Sequence, residues 1–345
     1  MTNTPITKKY IINGPFNIIR LSNNNKILYI LGDFHHPFNQ QTECLYNDNY
    51  ESKDIDKFIL LFMKNNKDKP VDLFVESKNI EFKTNQYNNK EIYINSIQKL
   101  YQHYLVKNKT DIMINKKYPN FRFHYSDIRN QLLNNWYIVM FYDNNIKNKN
   151  INNLNIPVLY KYLKNLIEET LESINNSSII NKILNRYSHE DIKIKINNIY
   201  DKYIFKNFEY VLKKINNLII NYSELTESLI IREIIKINDI CQIIFLCITD
   251  LFFMRRLLDK NYIQTCILYT GNNHLINISY LLVKYFNFKI SHIYNFSNVD
   301  KINNLILNNQ FKNFNYINEI NNTLGINYTT IIQCSNLFDF PDNFN

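Results

Sequence analysis

Short runs of β-branched and aromatic residues, each cut off by a polar cluster, limit what this chain can fold into more than any other feature of it. Ile27-Leu28-Tyr29-Ile30-Leu31 runs into Gly32-Asp33-Phe34-His35, and Val71-Asp72-Leu73-Phe74-Val75 runs into Glu76. Phe121-Arg122-Phe123-His124-Tyr125 ends at Ser126-Asp127, and Cys266-Ile267-Leu268-Tyr269-Thr270 ends at Gly271-Asn272-Asn273-His274. Stretches 289–294 and 329–334 are of the same kind. Runs this short and continuous suit strands buried on both faces, where no side has to be kept polar for water.

Between the runs, apolar residues recur with helical period. The stretch 54–64 would bury Ile55, Phe58, Ile59 and Phe62, and 92–106, 127–141 and 274–286 are similar. Strands alternating with helices predict an α/β fold with a mostly parallel central sheet flanked by helices. From 156 to 259 no strand pattern is visible, only long apolar-periodic stretches such as 224–258. The expected organisation is a first half of the α/β core at 1–150, a large all-helical insertion or cap at 151–260, and the second half of the core at 261–345.

The chain has four glycines, Gly14, Gly32, Gly271 and Gly325. Two of them, Gly32 and Gly271, open a Gly-x-x-His directly after a predicted strand. Glycine there permits a turn that aims the next side chains across the carboxyl edge of the sheet, the edge at which open α/β sheets place their ligands. Glu76 and Asp127 would stand on the same edge, each just past its own strand. Two histidines with one or two carboxylates make a nitrogen and oxygen donor set suited to Zn²⁺, Mn²⁺ or Co²⁺. They make equally well a metal-free site in which a carboxylate orients a histidine that activates water. The plain alternative leaves His35 and His274 as turn residues bonded to nearby backbone. Asp33 and His36 adjoin the same point, and His292 could face it from a late strand. His103, His124 and His189 read as surface or packing residues, and Cys266 as core.

In order, Gly32-Asp33-Phe34-His35, Glu76, Ser126-Asp127-Ile128-Arg129, Arg255-Arg256 and Gly271-Asn272-Asn273-His274-Leu275 resemble the TraB/Tiki group of the erythromycin-esterase/ChaN-like superfamily. Asn272 and Asn273 stand where that group more often has small residues. The resemblance implies an α/β core with a helical insertion and a site at the strand ends. It implies a hydrolase of ester or amide (including peptide) bonds, metal-dependent in the Tiki branch and histidine-based in the esterase branch. Carried over, His35, Glu76 and His274 form the centre, with Asp127 as a further metal ligand or orienting carboxylate. Arg129 and Arg255 or Arg256 hold a substrate carboxylate or stabilise an oxyanion. Small molecules or peptides are the implied substrates.

Composition adds a source and removes some partners. There is no Ala, and about one residue in six is Asn, far from ordinary usage. Asn, Ile, Lys and Tyr have AT-rich codons, which points to an AT-rich genome such as that of a giant virus. A formal charge of +9 would suggest nucleic acid, but the lysines are spread and mixed with acids. Pairs such as Lys116-Lys117 never extend to a run, so a solvated surface is the better reading and a polyanion binder the weaker one. The 14% aromatic share follows core-like intervals rather than a base-stacking pattern.

The stretch 240–254 falls short of the roughly 18–20 apolar residues that a spanning helix needs, so no membrane span is expected. Residues 1–10 contain no apolar leader core. Cys44, Cys241, Cys247, Cys266 and Cys334 form no CxxC pair. An odd, scattered set fits reduced thiols in a cytoplasmic setting, host cytoplasm or virion. No Gly-x-Ser-x-Gly elbow, phosphate-binding loop or dinucleotide fingerprint is present. The alternative to a hydrolase is a non-catalytic ligand-binding or virion-associated protein that keeps the same fold.

Overall fold

In the computed structural model the described residues are 10–35, 44, 51–65, 69–77, 93–107, 113–128, 156–221, 224–309, 311, 314–326 and 333–341. They fall into two compact units, one made of 1–127 with 260–345 and the other of 128–259. In chain order the first unit begins with β1 (Tyr10–Asn13), β2 (Asn17–Ser22), β3 (Ile27–Asp33), β4 (Glu51–Asp54), α1 (Ile55–Asn65) and β5 (Val71–Val75). It continues with α2 (Tyr93–Tyr104), β6 (Leu105–Lys107), β7 (Met113–Asn115) and β8 (Phe121–Tyr125). The second unit contains α3 (Ile156–Asn176), α4 (Ser178–Asn185), α5 (Glu190–Tyr200), a π-helical turn (Asp201–Phe205), α6 (Lys206–Asn221) and α7 (Glu227–Asp259). The first unit resumes with β9 (Thr265–Gly271), α8 (Asn272–Phe286), β10 (Lys289–Ile293), α9 (Val299–Asn308), α10 (Asn315–Thr323) and β11 (Cys334–Asn336).

The class is mixed α/β, and the main sheet is mostly parallel. Its six strands lie in the order β10-β2-β3-β9-β5-β8, with β3, β9, β5 and β8 paired in parallel and β2 antiparallel to both its neighbours. The predicted strands at 27–31, 71–75, 121–125 and 266–270 are its parallel core. Continuous apolar sequence is what such strands require, because helices cover both faces. On one face Tyr29, Leu31, Leu73, Val75, Ile267 and Tyr269 pack with Phe58, Phe62 and Ile97 of α1 and α2. On the other, Leu275 of α8 lies against Gly32.

Local chemistry sets the joints. β2 and β3 form a hairpin whose turn is the tract Asn23-Asn24-Asn25; the Asn23 side-chain oxygen accepts from the backbone N–H groups of Asn25 and Lys26 at 3.0 and 2.9 Å. That bond is why Asn serves in a turn. A smaller sheet orders β11-β1-β4, and β6 pairs with β7. Of the stretch predicted as a strand at 329–334, only Gln333 and Cys334 lie among the described residues, and Cys334 opens β11. The helix predicted at 127–141 falls outside them beyond Ile128.

The elements described in the second unit are all helices. Tyr160, Ile167, Ile183, Ile199, Phe208, Ile215, Ile237 and Phe245 are buried in it. Asp259, itself buried, accepts from the backbone N–H groups of Ser188 and His189 at 2.6 and 3.2 Å. The helix segment 228–259 is long and apolar enough to cross a membrane by length and composition, and 67% of its most apolar window is buried within the protein. Such burial is also what the core helix of a helical unit shows.

One expectation about the cysteines is corrected. Cys44 and Cys334 are joined by a disulfide, while Cys241, Cys247 and Cys266 are buried and in no disulfide. Spacing along the chain carried no sign of the pair because its partners are 290 residues apart and meet only through the fold.

Candidate functional site

β3 and β9 are neighbours in register, with Gly32 opposite Thr270 and Asp33 opposite Gly271. The two Gly-x-x-His motifs therefore begin side by side on one edge of the sheet. β5 flanks β9 on its other side, with Val75 opposite Tyr269, and Glu76 follows at once. The Glu76 backbone N–H donates to the Tyr269 carbonyl at 2.9 Å, which extends the ladder by one residue and aims the carboxylate at the start of α8. Its Oε2 accepts from the Thr270 hydroxyl and from the Gly271 N–H, each at 2.8 Å.

Both histidines meet this carboxylate. His35 Nε2 stands 3.3 Å from Glu76 Oε2, and His274 Nε2, from the first turn of α8, stands 3.4 Å from Oε1. Behind His35 lies Asp33, whose Oδ1 is 2.7 Å from His35 Nδ1 and also accepts from the His35 backbone N–H at 3.1 Å. The hydroxyl of Tyr269, fully buried, donates to the other Asp33 oxygen at 2.8 Å. The result is a continuous polar chain, Tyr269, Asp33, His35, Glu76, His274, with the carboxylates buried and the imidazoles at the surface. His35 is 37% exposed and His274 14%, against 3% for Glu76 and 1% for Asp33.

Charge follows from this arrangement. Burial disfavours ionised Glu76, but the two imidazoles, His274 first, outweigh it and hold the carboxyl well below its usual range. Burial also disfavours a cationic His35. The Asp33 carboxylate and then Glu76 more than compensate, and its pKa is pushed up to about 10. At neutral pH His35 is thus an imidazolium held between two carboxylates.

The glycines act differently from what the sequence suggested. Neither Gly32 nor Gly271 has positive φ; the left-handed residue of the first motif is His35 itself, at φ 56°. What the glycines supply is room. A Cβ on Gly271 would lie 2.7 Å from His35 Nε2, and one on Gly32 would lie 2.9 Å from Leu275 Cδ1 and 3.3 Å from the Asn272 Cα. Asn272, large for its place, is buried and bridges Asn17 and Asn321 at 3.5 and 3.2 Å.

Other candidates fall elsewhere. Asp127 is buried just beyond β8, on the same sheet edge as Glu76. Arg129 and His36 lie outside the described residues. Arg255 belongs to the helical unit, where its Nη1 donates to the Arg186 carbonyl at 3.1 Å. His292 contacts Ser291 at 3.0 Å on β10, at the far edge of the sheet from Glu76. His124 is bonded to Asp72 at 2.7 Å and stacked on Phe74. His103 is exposed on α2. Cys266 is buried, and burial pushes its thiol well above the usual range, which suits a core residue rather than a nucleophile. Tyr269 and Thr270 could not be recognised as supports from the chain order, since each reads as an ordinary strand residue.

The donor types present suit a divalent transition metal, and Asp33 stands behind His35 as carboxylates stand behind metal-binding histidines. The geometry is not that of a coordination shell. The two Nε2 atoms face different oxygens of Glu76, and among the described residues no group of three or more His, Cys, Asp or Glu side chains is placed to hold a metal ion.

Residues 10–178 and 229–345 match a family of unknown function (DUF5847), and the chain belongs to that family. It is similar to uncharacterized protein R706 of Acanthamoeba polyphaga mimivirus, 29% identical over 97% of each chain. It is also similar to uncharacterized protein R161 of the same virus, 27% identical over 96% of this chain and 98% of the relative. A giant-virus source agrees with the AT-rich composition. Neither the family nor these relatives carries a TraB/Tiki or erythromycin-esterase name. No solved structure matches the chain.

Proposed function

With membership of this family as the premise, we propose that the chain is a hydrolase of ester or amide bonds, of the TraB/Tiki or erythromycin-esterase-like type, working from the His35, Glu76 and His274 cluster. The observation that carries the reading is the buried Glu76 carboxylate with an imidazole on each oxygen, at the carboxyl edge of parallel strands. In this scheme His274 takes a proton from water as the water oxygen attacks the substrate carbonyl carbon. Glu76 stabilises the imidazolium that forms. His35, already a cation, turns its Nε2–H from Glu76 to the oxyanion and gives that proton to the leaving alcohol or amine as the bond breaks; the proton taken up by His274 then returns to His35, which closes the cycle. Asp33, steadied by Tyr269, keeps the His35 ring oriented. Asp127 is a further orienting carboxylate. The helical unit is read as an insertion between the two sheet-forming halves. No step passes through a metal.

The test is hydrolysis of a panel of nitrophenyl esters and short peptides by wild type, His35→Ala and His274→Ala, with chelator present. Each variant is expected to lose about 10²–10⁴-fold in turnover while keeping a cooperative melt, lowered in His35→Ala because Asp33 and Glu76 lose the cation between them. Wild-type turnover in both variants would end the hydrolase reading. Activity lost to chelator and restored by Mn²⁺, Co²⁺ or Zn²⁺ would replace this scheme with a metal-dependent one.

A further inference from the structure

Two consecutive residues near the C-terminus hold the chain on either side of His35. Gln333, 1% exposed, accepts with its side-chain oxygen from the Phe34 N–H at 2.7 Å, across 299 residues of sequence. Cys334 forms the disulfide with Cys44, nine positions beyond His35. Both are themselves anchored. The Gln333 carbonyl accepts from the Gly14 N–H at 3.0 Å, and Cys334, Ser335 and Asn336 pair with β1. Leu337 and Phe340, just beyond, are buried in the core.

The backbone between these holds needs them. His35 has φ 56°, a region costly for a residue with a Cβ, and such a conformation persists only where its surroundings impose it. Asp33 takes the His35 N–H, Gln333 takes the Phe34 N–H, and the Phe34 ring stacks on Phe16 at 4.1 Å. Gln333 keeps its orientation although its amide nitrogen is buried without a hydrogen-bond partner among the described residues. A group that accepts such a cost is being held for what its other end does.

We propose that Gln333 is a positioning residue for His35 and that the Cys44–Cys334 disulfide makes this positioning sensitive to thiol reduction. The inference rests on the reading of His35 as a working residue of the site. With a dithiol as reductant, the S–S bond breaks, two electrons and two protons pass to Cys44 and Cys334 as thiols, and the dithiol closes to its own disulfide. β11 stays paired with β1, but Cys334, next to Gln333, loses its covalent link to Cys44, and the holds left on the turn among the described residues include Asp33, Gln333 and the Phe34–Phe16 stack.

The experiment is amide hydrogen exchange and imidazole NMR on the full chain: oxidised wild type, dithiol-reduced wild type, Gln333→Met and Cys44→Ser. Gln333→Met is expected to lower Phe34 amide protection about tenfold, the worth of one buried hydrogen bond, and to shift the His35 ring signals. Amides of β5 and β9 should keep their protection. Reduction and Cys44→Ser should shift the His35 signals in the same direction as each other. Unchanged Phe34 protection in Gln333→Met overturns the positioning role, as does a uniform loss of protection across the sheet. An unmoved His35 signal after confirmed reduction overturns the redox coupling. None of these readouts involves turnover, so an inactive protein would end the hydrolase reading and leave this result standing.

Discussion

At Gly271 one hydrogen atom in place of a methyl group lets the His35 ring reach Glu76. A Cβ there would meet His35 Nε2, the far end of a partly exposed side chain, which can move only by giving up its contact with Glu76. Gly271→Ala is therefore expected to displace the ring and cut turnover at least about tenfold, at a smaller cost in stability than Gly32→Ala. Gly32→Ala has no such escape, because its Cβ would press on the buried Leu275 side chain and the Asn272 backbone. That variant should lose about 1–3 kcal/mol of stability in denaturant titration, the usual cost of overpacking. Equal melts for the two variants would contradict this account. His35, Glu76 and His274 were legible as candidates because each follows an apolar run. Their supports were not, since Tyr269 meets Asp33 across 236 positions and Gln333 meets Phe34 across 299.

At the level of strands, legibility followed burial. β3, β5 and β9 are buried on both faces almost throughout, and their runs stood out. β1 and β4 are short and only partly buried, and β2 carries a buried Arg20 that sequence alone would send to the surface. Arg20 is tolerated because it donates to the Tyr29 hydroxyl at 3.1 Å and to Ser291 at 2.7 Å, fastening β2 to both neighbours. β5 and β8 are fastened in the same way by charge. Fully buried Asp72 takes two hydrogen bonds from Arg122, at 2.8 and 2.6 Å, and one from His124 at 2.7 Å. Burial alone would raise the Asp72 pKa, but these partners, His124 before Arg122, bring it below the ordinary value. A depressed carboxyl contributes stability that is fully present above its unfolded pKa of about 3.9 and is lost as pH falls through the folded value. Asp72→Asn should cost about 3 kcal/mol at pH 7, and its gap to wild type should narrow in urea melts carried below pH 4. A gap that stays constant to pH 3 would remove Asp72 as its source.

Across the whole molecule the disulfide is the longest covalent constraint; its two ends lie in the first unit, and the loop of 290 positions that it closes includes the second unit. Loop-closure entropy sets its largest contribution at about 6 kcal/mol, much of the net stability of an ordinary domain. Cys334→Ser should therefore lower the melting temperature of the first unit by several degrees, read by calorimetry beside the oxidised chain. An unshifted transition would mean that β11 holds without its covalent link. Among the described residues some lysines pair locally, as Lys214 does with Glu233 and Lys57 with Asp54.

The strand order has a consequence for how the protein is made. β9 sits between β3 and β5, yet it is synthesised after both and after the helical unit that precedes it in the chain. While a ribosome works through residues 76 to 264, β3 and β5 exist without the strand that separates them, each with an unpaired apolar edge. Glu76 waits just as long for Thr270 and Gly271, so the centre of the site is completed only when the last third of the chain emerges.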